Sequence, residues 1–188
     1  MDLCGEKHMK YAGLNKNDFT AAPGVSVSFF TQGCPHRCVN CHNPETWDFD
    51  GGKNFTPKVL DEIVEALTAN DITRSFCLMG GEPLCEKNIP LSYLILSYIK
   101  EKIPETKIYI WTGYIYKELL KNSNSQLKEI LKMANVLIDG PYIDSLRDVT
   151  LPMRGSSNQN IIYLDKEKKR IYKFSNFLRL CIYCNITA

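Results

Sequence analysis

Short apolar runs alternate with amphipathic segments along most of the chain, and this pattern predicts strands that are followed by helices. Residues 25–30 alternate apolar and polar side chains in the manner of a half-buried strand. Three further apolar runs predict three more strands, at residues 75–79, 107–111 and 135–138. Each run ends at a polar or glycine-containing loop, and parallel sheets place their active sites at such strand ends.

Three amphipathic patterns predict the helices that connect these strands. The first helix begins after Thr56, a candidate N-cap, and has Pro57 at its first position. The second ends before Pro104, and the third contains residues 127–134. Strand and helix alternating at this spacing argue for βαβ units and a mainly parallel sheet.

The chain length limits how far this sheet can close. A full eight-stranded barrel needs about 250 residues, and the chain has 188. We therefore expect an incomplete (β/α) barrel of mainly parallel strands with one open side. The expected divisions are a flexible N-terminal extension at residues 1–10, one domain at residues 11–164, and a peripheral tail at residues 165–188.

The tail contains one pattern with possible chemistry of its own. Residues 161–164 and 170–174 suggest a hairpin, and Cys181 and Cys184 follow at C-x2-C spacing. Such a pair can act as a redox couple, or it can bind zinc or an auxiliary cluster if Cys77 and Cys85 complete the ligand set. A poorly ordered tail without a second metal site is the favoured interpretation.

Composition narrows the class of protein. The net charge is +2, with no basic run, which gives no reason to expect nucleic acid or a membrane surface as a partner. No apolar stretch reaches the length of a membrane span, and the first ten residues lack the apolar core of a signal peptide. We expect a cytoplasmic protein, and eight cysteines in a reducing compartment argue for metal binding or catalysis before disulfides.

Three of these cysteines are concentrated in the loop after the first predicted strand. Cys34, Cys38 and Cys41 can converge only if the backbone wraps around a metal or an iron-sulfur cluster, because thiolates select zinc and iron-sulfur centres. A structural zinc site needs four ligands, which His36 or His42 could complete. Otherwise His36 is expected to be a solvated loop residue. A four-iron cluster held by three cysteines instead keeps one iron without a protein ligand.

The loops after the later strands supply further candidate residues. Gly80, Gly81 and Glu82 follow the second strand, and paired glycines let the backbone approach a ligand closely, although a plain strand-to-helix turn is the alternative. Thr112 follows the third strand and offers a hydroxyl where a ribose or carboxylate could rest. Asp139 ends the fourth strand and either caps a following helix or contacts a ligand. Arg154 could hold a carboxylate or contact a partner protein.

The cysteine spacing resembles the C-x3-C-x2-C signature of the radical S-adenosylmethionine (SAM) enzymes. The chain as a whole, from about residue 11 to residue 162, resembles the anaerobic ribonucleoside-triphosphate reductase-activating proteins. The motifs that carry this resemblance occur in the family's order: CHNPETW (41–47), GGEPL (80–84), WTGY (111–114), VLIDG (136–140) and RGSSNQ (154–159). The RGSSNQ run separates this family from the pyruvate formate-lyase activating enzymes.

The resemblance implies a cofactor set and ligand roles. The three cysteines would ligate a 4Fe-4S cluster, while Asn40, Cys41 and His42 would line the SAM pocket. Gly80, Gly81 and Glu82 would bind the methionine end. Two departures from the family pattern are Ala22-Pro23, where many members have Asn-Gly, and Pro141, where many have a lysine.

The resemblance also implies a reaction. One electron from the reduced cluster would cleave SAM to methionine and a 5'-deoxyadenosyl radical, which would take a hydrogen atom from a glycine near the carboxyl end of the large reductase subunit. No side-chain acid or base is required, and a flavodoxin or ferredoxin would supply the electron. The alternatives are activation of another glycyl-radical enzyme, another radical SAM reaction, or a zinc-binding interaction module.

Overall fold

The computed structural model of the protein describes residues 9–164 and 170–172. The strands are β1 (Lys10–Asp18), β2 (Val25–Thr31), β3 (Lys53–Asn54), β4 (Arg74–Gly80), β5 (Ile108–Trp111), β6 (Val136–Asp139), β7 (Asn160–Tyr163) and β8 (Arg170–Tyr172). The α-helices are α1 (Pro57–Thr68), α2 (Ile89–Lys102), α3 (Tyr116–Leu119) and α4 (Ser125–Met133). Three 3₁₀ turns lie at Pro44–Thr46, Ala69–Asp71 and Asp144–Leu146.

The strands form one mixed sheet in the order β3-β1-β2-β4-β5-β6-β7-β8. Only the central pairs β2–β4, β4–β5 and β5–β6 are parallel, whereas the other four neighbouring pairs are antiparallel. The prediction of an incomplete (β/α) barrel of the radical SAM type with a mainly parallel sheet is therefore wrong. In the described residues the sheet is open, because antiparallel strands rather than further βα units extend it on both sides.

The two faces of the sheet have different coverings. Successive strand residues point to opposite faces, so Val27, Phe29 and Phe76 pack with the helices while Cys77 and Met79 face the other way. The main core lies between the sheet and α1, α2 and α4. The opposite face packs against loop residues instead of α-helices in the described part of the chain, and this face is where a cleft forms.

Most predicted elements of the central region are confirmed. The helix α1 begins at Pro57 with Thr56 at the N-cap, although the Thr56 side chain makes no capping hydrogen bond. The predicted hairpin after residue 160 is present as the antiparallel pair β7–β8. Two short elements, β3 and α3, and the long strand β1 were missed.

Several calls fall outside the described residues. Most of the expected N-terminal extension and most of the expected tail do so, and with them Cys4, Cys181 and Cys184. Among the described helices, none is both long enough and apolar enough to cross a membrane.

Candidate functional site

A cleft of about 1570 Å³ opens on the face of the sheet opposite the α-helices. Its walls are formed by the loops that follow the parallel strands β2, β4 and β5, by the segment between β6 and β7, and by the connection from β1 to β2. Nearly all the residues singled out from the sequence line it: Cys34, Cys38, Asn40, Cys41, His42, Gly80, Gly81, Glu82, Thr112 and Arg154. Asp139 is the single predicted site residue that does not.

The cysteine loop is held in place by its own backbone. The amides of Gly33 and Cys34 donate to the carbonyl oxygens of Thr46 and Trp47, at 2.8 and 3.2 Å. Gly33 has φ +94°, and a Cβ there would collide with the ring of Phe49, so this position requires glycine. The start of the loop is therefore fixed against the segment that contains the 3₁₀ turn at Pro44–Thr46.

The three thiols differ in exposure and electrostatic setting. Cys34 is buried, while Cys38 and Cys41 are half-buried. Burial raises the pKa of the Cys34 thiol, and the backbone amide of His36 acts in the opposite direction. Burial likewise raises the pKa of Cys38. The neighbouring Cys41 adds to this rise, and the backbone amide of Tyr142 acts against it. Amides beside cysteine sulfurs are a means by which proteins tune iron-sulfur clusters.

The donor set fits an iron-sulfur cluster better than a single metal ion. In the described part of the chain, no group of three or more His, Cys, Asp or Glu side chains is placed to hold one ion. A structural zinc site requires four ligands converging on one ion, so the geometry does not favour zinc. A 4Fe-4S cluster takes each thiolate on a different iron atom, and three thiols lining one cleft suit that requirement.

The glycine pair after β4 packs directly against the cysteine loop. The amides of Gly81 and Glu82 donate to the carbonyl oxygens of Thr31 and Gly33, both at 2.9 Å. A Cβ on Gly81 would lie 2.8 Å from the carbonyl carbon of Gly33 and closer still to its oxygen. Glycine is therefore needed here because two backbone segments touch, not because of a positive φ.

Glu82 is the hub of the site rather than an exposed ligand. Its side chain is 1% exposed. One oxygen accepts from the Leu84 amide at 2.9 Å and the Thr112 hydroxyl at 2.8 Å. The other accepts from the Gly113 amide at 2.7 Å and lies 2.9 Å from His36 Nε2. This carboxylate thus connects the loops after β2, β4 and β5, and the backbone amide and carbonyl of Glu82 are also hydrogen-bonded within the protein, to Gly33 and to Cys85 and Asn88.

Asn40 makes a contact that the sequence could not indicate. Its side-chain amide donates to Asp144 at 2.9 Å, across 104 positions of the chain. The Tyr142 hydroxyl donates to the same carboxylate at 2.8 Å, and these two hydrogen bonds lower the pKa of Asp144. The cysteine loop is thereby tied to the segment that follows β6, whereas His42 remains exposed on the cleft wall.

Asp139 has a structural role, but it does not cap a following helix, because the helix whose start it binds, α3, precedes it in the chain. It is 2% exposed, and its carboxylate accepts from the Tyr116 amide at the start of α3 and from the Asn160 side chain, both at 2.8 Å. The carboxylate therefore anchors the start of α3 and β7, as an N-cap side chain would.

The RGSSNQ loop folds back on the segment after β6. Asn158 and Gln159 side chains donate to the carbonyl oxygens of Pro141 and Gly140, at 2.7 and 3.0 Å. Arg154 donates from one terminal nitrogen to the Gln159 carbonyl at 3.2 Å. Among the described residues, its buried Nε has no hydrogen-bond partner, nor does the buried Nε1 of Trp47, and both residues line the cleft. Unsatisfied donors in a cleft wall suit a ligand that carries acceptor oxygens.

Two further described cysteines, Cys77 and Cys85, lie away from the cleft lining. Burial raises the pKa of Cys77 to about 12 and that of Cys85 to about 11. With so little thiolate at pH 8, both thiols are expected to stay unmodified by iodoacetamide in the folded, metal-free protein while Cys38 and Cys41 react. Peptide mass mapping after a timed reaction measures this, and equal labelling of all four would contradict it.

Comparison with known proteins gives consistent matches. The profile of the 4Fe-4S single cluster domain matches residues 21–162. The anaerobic ribonucleoside-triphosphate reductase-activating protein of Escherichia coli strain K12 is 34% identical over 157 residues, which cover 83% of this chain and 99% of that protein. Proteins of the same name from Enterobacteria phage T4 and Vibrio cholerae are 35% and 33% identical, each over 81% of this chain and over 93% and 97% of their own lengths.

Proposed function

Since the chain belongs to the family of anaerobic ribonucleoside-triphosphate reductase-activating proteins and contains a 4Fe-4S single cluster domain, we propose that it is a radical SAM activase. In this proposal it generates a glycyl radical on the large subunit of that reductase. The observation that carries the proposal is that the three thiols, the Gly80-Gly81 loop and Arg154 line one cleft.

Cys34, Cys38 and Cys41 would hold the cluster. When bound and reduced, the 4Fe-4S cluster supplies the electron that cleaves SAM into methionine and a 5'-deoxyadenosyl radical, which takes a hydrogen atom from the substrate glycine. The protein contributes position: the loops that carry the thiols and the glycine pair are bonded to each other through the Gly33 carbonyl and the Glu82 amide.

The polar ends of SAM find complementary groups in the cleft. The amides of Gly81 and Glu82 are already used, but the Gly81 carbonyl oxygen accepts no hydrogen bond within the described ranges. It is therefore suited to the ammonium group of the methionine moiety. Arg154, with its unpartnered Nε, is suited to the carboxylate. Arg154 would then provide the positive charge that many family members place at position 141, where this chain has Pro141.

The rest of the cleft is large enough for a second reactant. Small-molecule sites measure about 300–1,000 Å³, and this cleft measures about 1570 Å³. Its floor is apolar, with Phe30, Met79 and Trp111 on the sheet, and Val149 at its edge is 77% exposed. We propose that the C-terminal glycine segment of the reductase enters here, and that a flavodoxin- or ferredoxin-type donor reduces the cluster.

A glycine is a suitable hydrogen donor for this reaction, since its Cα radical is delocalised over both flanking amides. Because a hydrogen atom is transferred, no general base is needed. This agrees with the buried state of Glu82 and Asp139, whose carboxylate oxygens each accept hydrogen bonds from neighbouring protein groups.

The test is anaerobic reconstitution with iron and sulfide, reduction, and addition of SAM. We expect about four iron atoms per chain, 5'-deoxyadenosine as a product, and a glycyl-radical spin-resonance signal when the large reductase subunit is added. A loaded and reduced cluster that forms no 5'-deoxyadenosine would refute the proposal.

The control for the partner is the reductase with its C-terminal glycine changed to alanine. Radical formation should disappear with that variant while SAM cleavage persists. Radical formation that survives the change would instead favour another glycine or another glycyl-radical enzyme as the substrate.

A further inference from the structure

His36 occupies a position that its sequence context did not suggest. It lies between two cluster cysteines, and its expected role was that of a solvated loop residue or a zinc ligand. Its side chain is 19% exposed and lies 2.9 Å from Glu82, which is 1% exposed. The prediction of a solvated side chain is wrong, because the ring packs into the interface between loops.

The imidazole is held on several sides. Its Nε2 donates to a Glu82 oxygen that also accepts from the Gly113 amide. Its ring meets the ring of Tyr114 edge-on at 4.6 Å between centroids. A Cβ on Gly113 would lie 2.5 Å from the His36 ring, so the absence of a side chain there creates the space that the imidazole fills.

We propose that His36 is a positioning residue that locks the cysteine loop onto Glu82 and so sets the distance between the cluster and the methionine end of SAM. This rests on the proposed function and adds to it a residue that the motifs do not assign. Glu82 lies in the loop that would bind methionine, and His36 lies in the loop that would bind the cluster. Their hydrogen bond is therefore a direct side-chain link between the two halves of the site.

Other contacts do not make this link redundant. The backbone bond from the Glu82 amide reaches Gly33, at the start of the cysteine loop. The bond from Asn40 to Asp144 holds the far end, where Asn40 is exposed and Asp144 is half-buried. His36 is the contact in the middle of the loop, between Cys34 and Cys38, and its partner is a buried charge. Hydrogen bonds to buried charged groups are the stronger ones.

The first experiment follows loop opening in the full chain, before and after cluster loading, by timed trypsin digestion. Arg37 is exposed in this loop and supplies the cleavage site, whereas Lys132 on α4 supplies an internal control. His36→Phe keeps a ring against Tyr114 but removes the donor, and His36→Gln restores an N–H donor. We expect cleavage after Arg37 to be about tenfold faster in His36→Phe and within about threefold of the unmodified rate in His36→Gln.

The second experiment measures the cluster itself. In His36→Phe we expect the iron content to be retained, because all three thiols remain. The SAM concentration that half-saturates the change in the spin-resonance spectrum of the reduced cluster should rise about tenfold. His36→Gln should stay close to the unmodified protein in both measurements.

Four outcomes would overturn the proposal: equal Arg37 cleavage in all three proteins, a parallel rise at Lys132 that signals global unfolding, loss of iron in both variants, or an unchanged SAM response in His36→Phe. Failure of the proposed function looks different. In that case the unmodified protein would show no response to SAM, while the difference in Arg37 cleavage between His36→Phe and His36→Gln would persist.

Discussion

Cys38→Ser is expected to abolish activation of the reductase and to lower SAM cleavage by more than about 100-fold. Mutation of residues that only hydrogen-bond to a metal ligand already lowers metal affinity or activity by about 10–100-fold. The cleft offers three thiols, and no other described cysteine lines it. A hydroxyl is a much poorer ligand for iron than a thiolate, so the cluster would be lost or loosely held. Iron and sulfide analysis after anaerobic reconstitution, followed by product assay, measures the effect.

Cys77→Ser is the matched control for this substitution. Cys77 is fully buried in β4, away from the cleft lining, and the hydroxyls of Ser26 and Ser28 approach its sulfur. A hydroxyl placed there has polar neighbours, and the bound iron should not change. Cluster content that falls equally in both variants, or that persists in Cys38→Ser, would show that Cys38 is not a ligand.

Gly81→Ala is expected to push the Gly80-Gly81 loop away from the cysteine loop. The added Cβ would meet the Gly33 backbone, which cannot move aside by rotating a side chain. Because Cys34 follows Gly33 directly, any shift of Gly33 also moves this proposed cluster ligand. Overpacking of this kind costs about 1–3 kcal/mol, which corresponds to a fall in melting temperature of about 2–4 °C per kcal/mol for a domain of this size. The rate of SAM-dependent product formation should fall by more than the loss of folded protein would explain.

Gly13→Ala provides the comparison, because a Cβ on Gly13 would meet nothing within 4 Å. Gly13 lies in β1, and no positive φ is recorded for it or for Gly81. Thermal unfolding by circular dichroism and 5'-deoxyadenosine formation should be measured for both variants. If the two alanine variants have the same melting temperature and form 5'-deoxyadenosine at the same rate, the close approach between Gly81 and Gly33 is not required for activity.

The central elements were predictable because their patterns are local. Alternation along residues 25–30 and the apolar stripe of α1 reflect which face each residue buries, and both appear in the structure as expected. The sheet was harder to predict. Strand β1 has no buried residue before Asp18, so its sequence shows little alternation, and it pairs antiparallel with β2. Missing it led to the incorrect barrel prediction.

Some features of the candidate site were likewise predictable from local sequence, and others were not. Cysteine spacing and the glycine pair identify the loops, because ligand spacing and close backbone approach leave a mark in neighbouring residues. The roles of His36 and Asn40 left no such mark, since their partners are 46 and 104 positions away. Asp139 remained ambiguous in sequence because its partners, Tyr116 and Asn160, are 23 and 21 positions away.

The sequence by itself thus determined the family, the thiols, the chemical type of cofactor they suit, and the alternation of strands and helices in the central part of the chain. The tertiary structure decided that the sheet is open and mixed, that Glu82 is buried among three loops, and that His36 is tied to it. The physical reason is range: periodicity and ligand spacing act within about ten residues, whereas burial and hydrogen-bond partners depend on which distant segments the fold brings into contact.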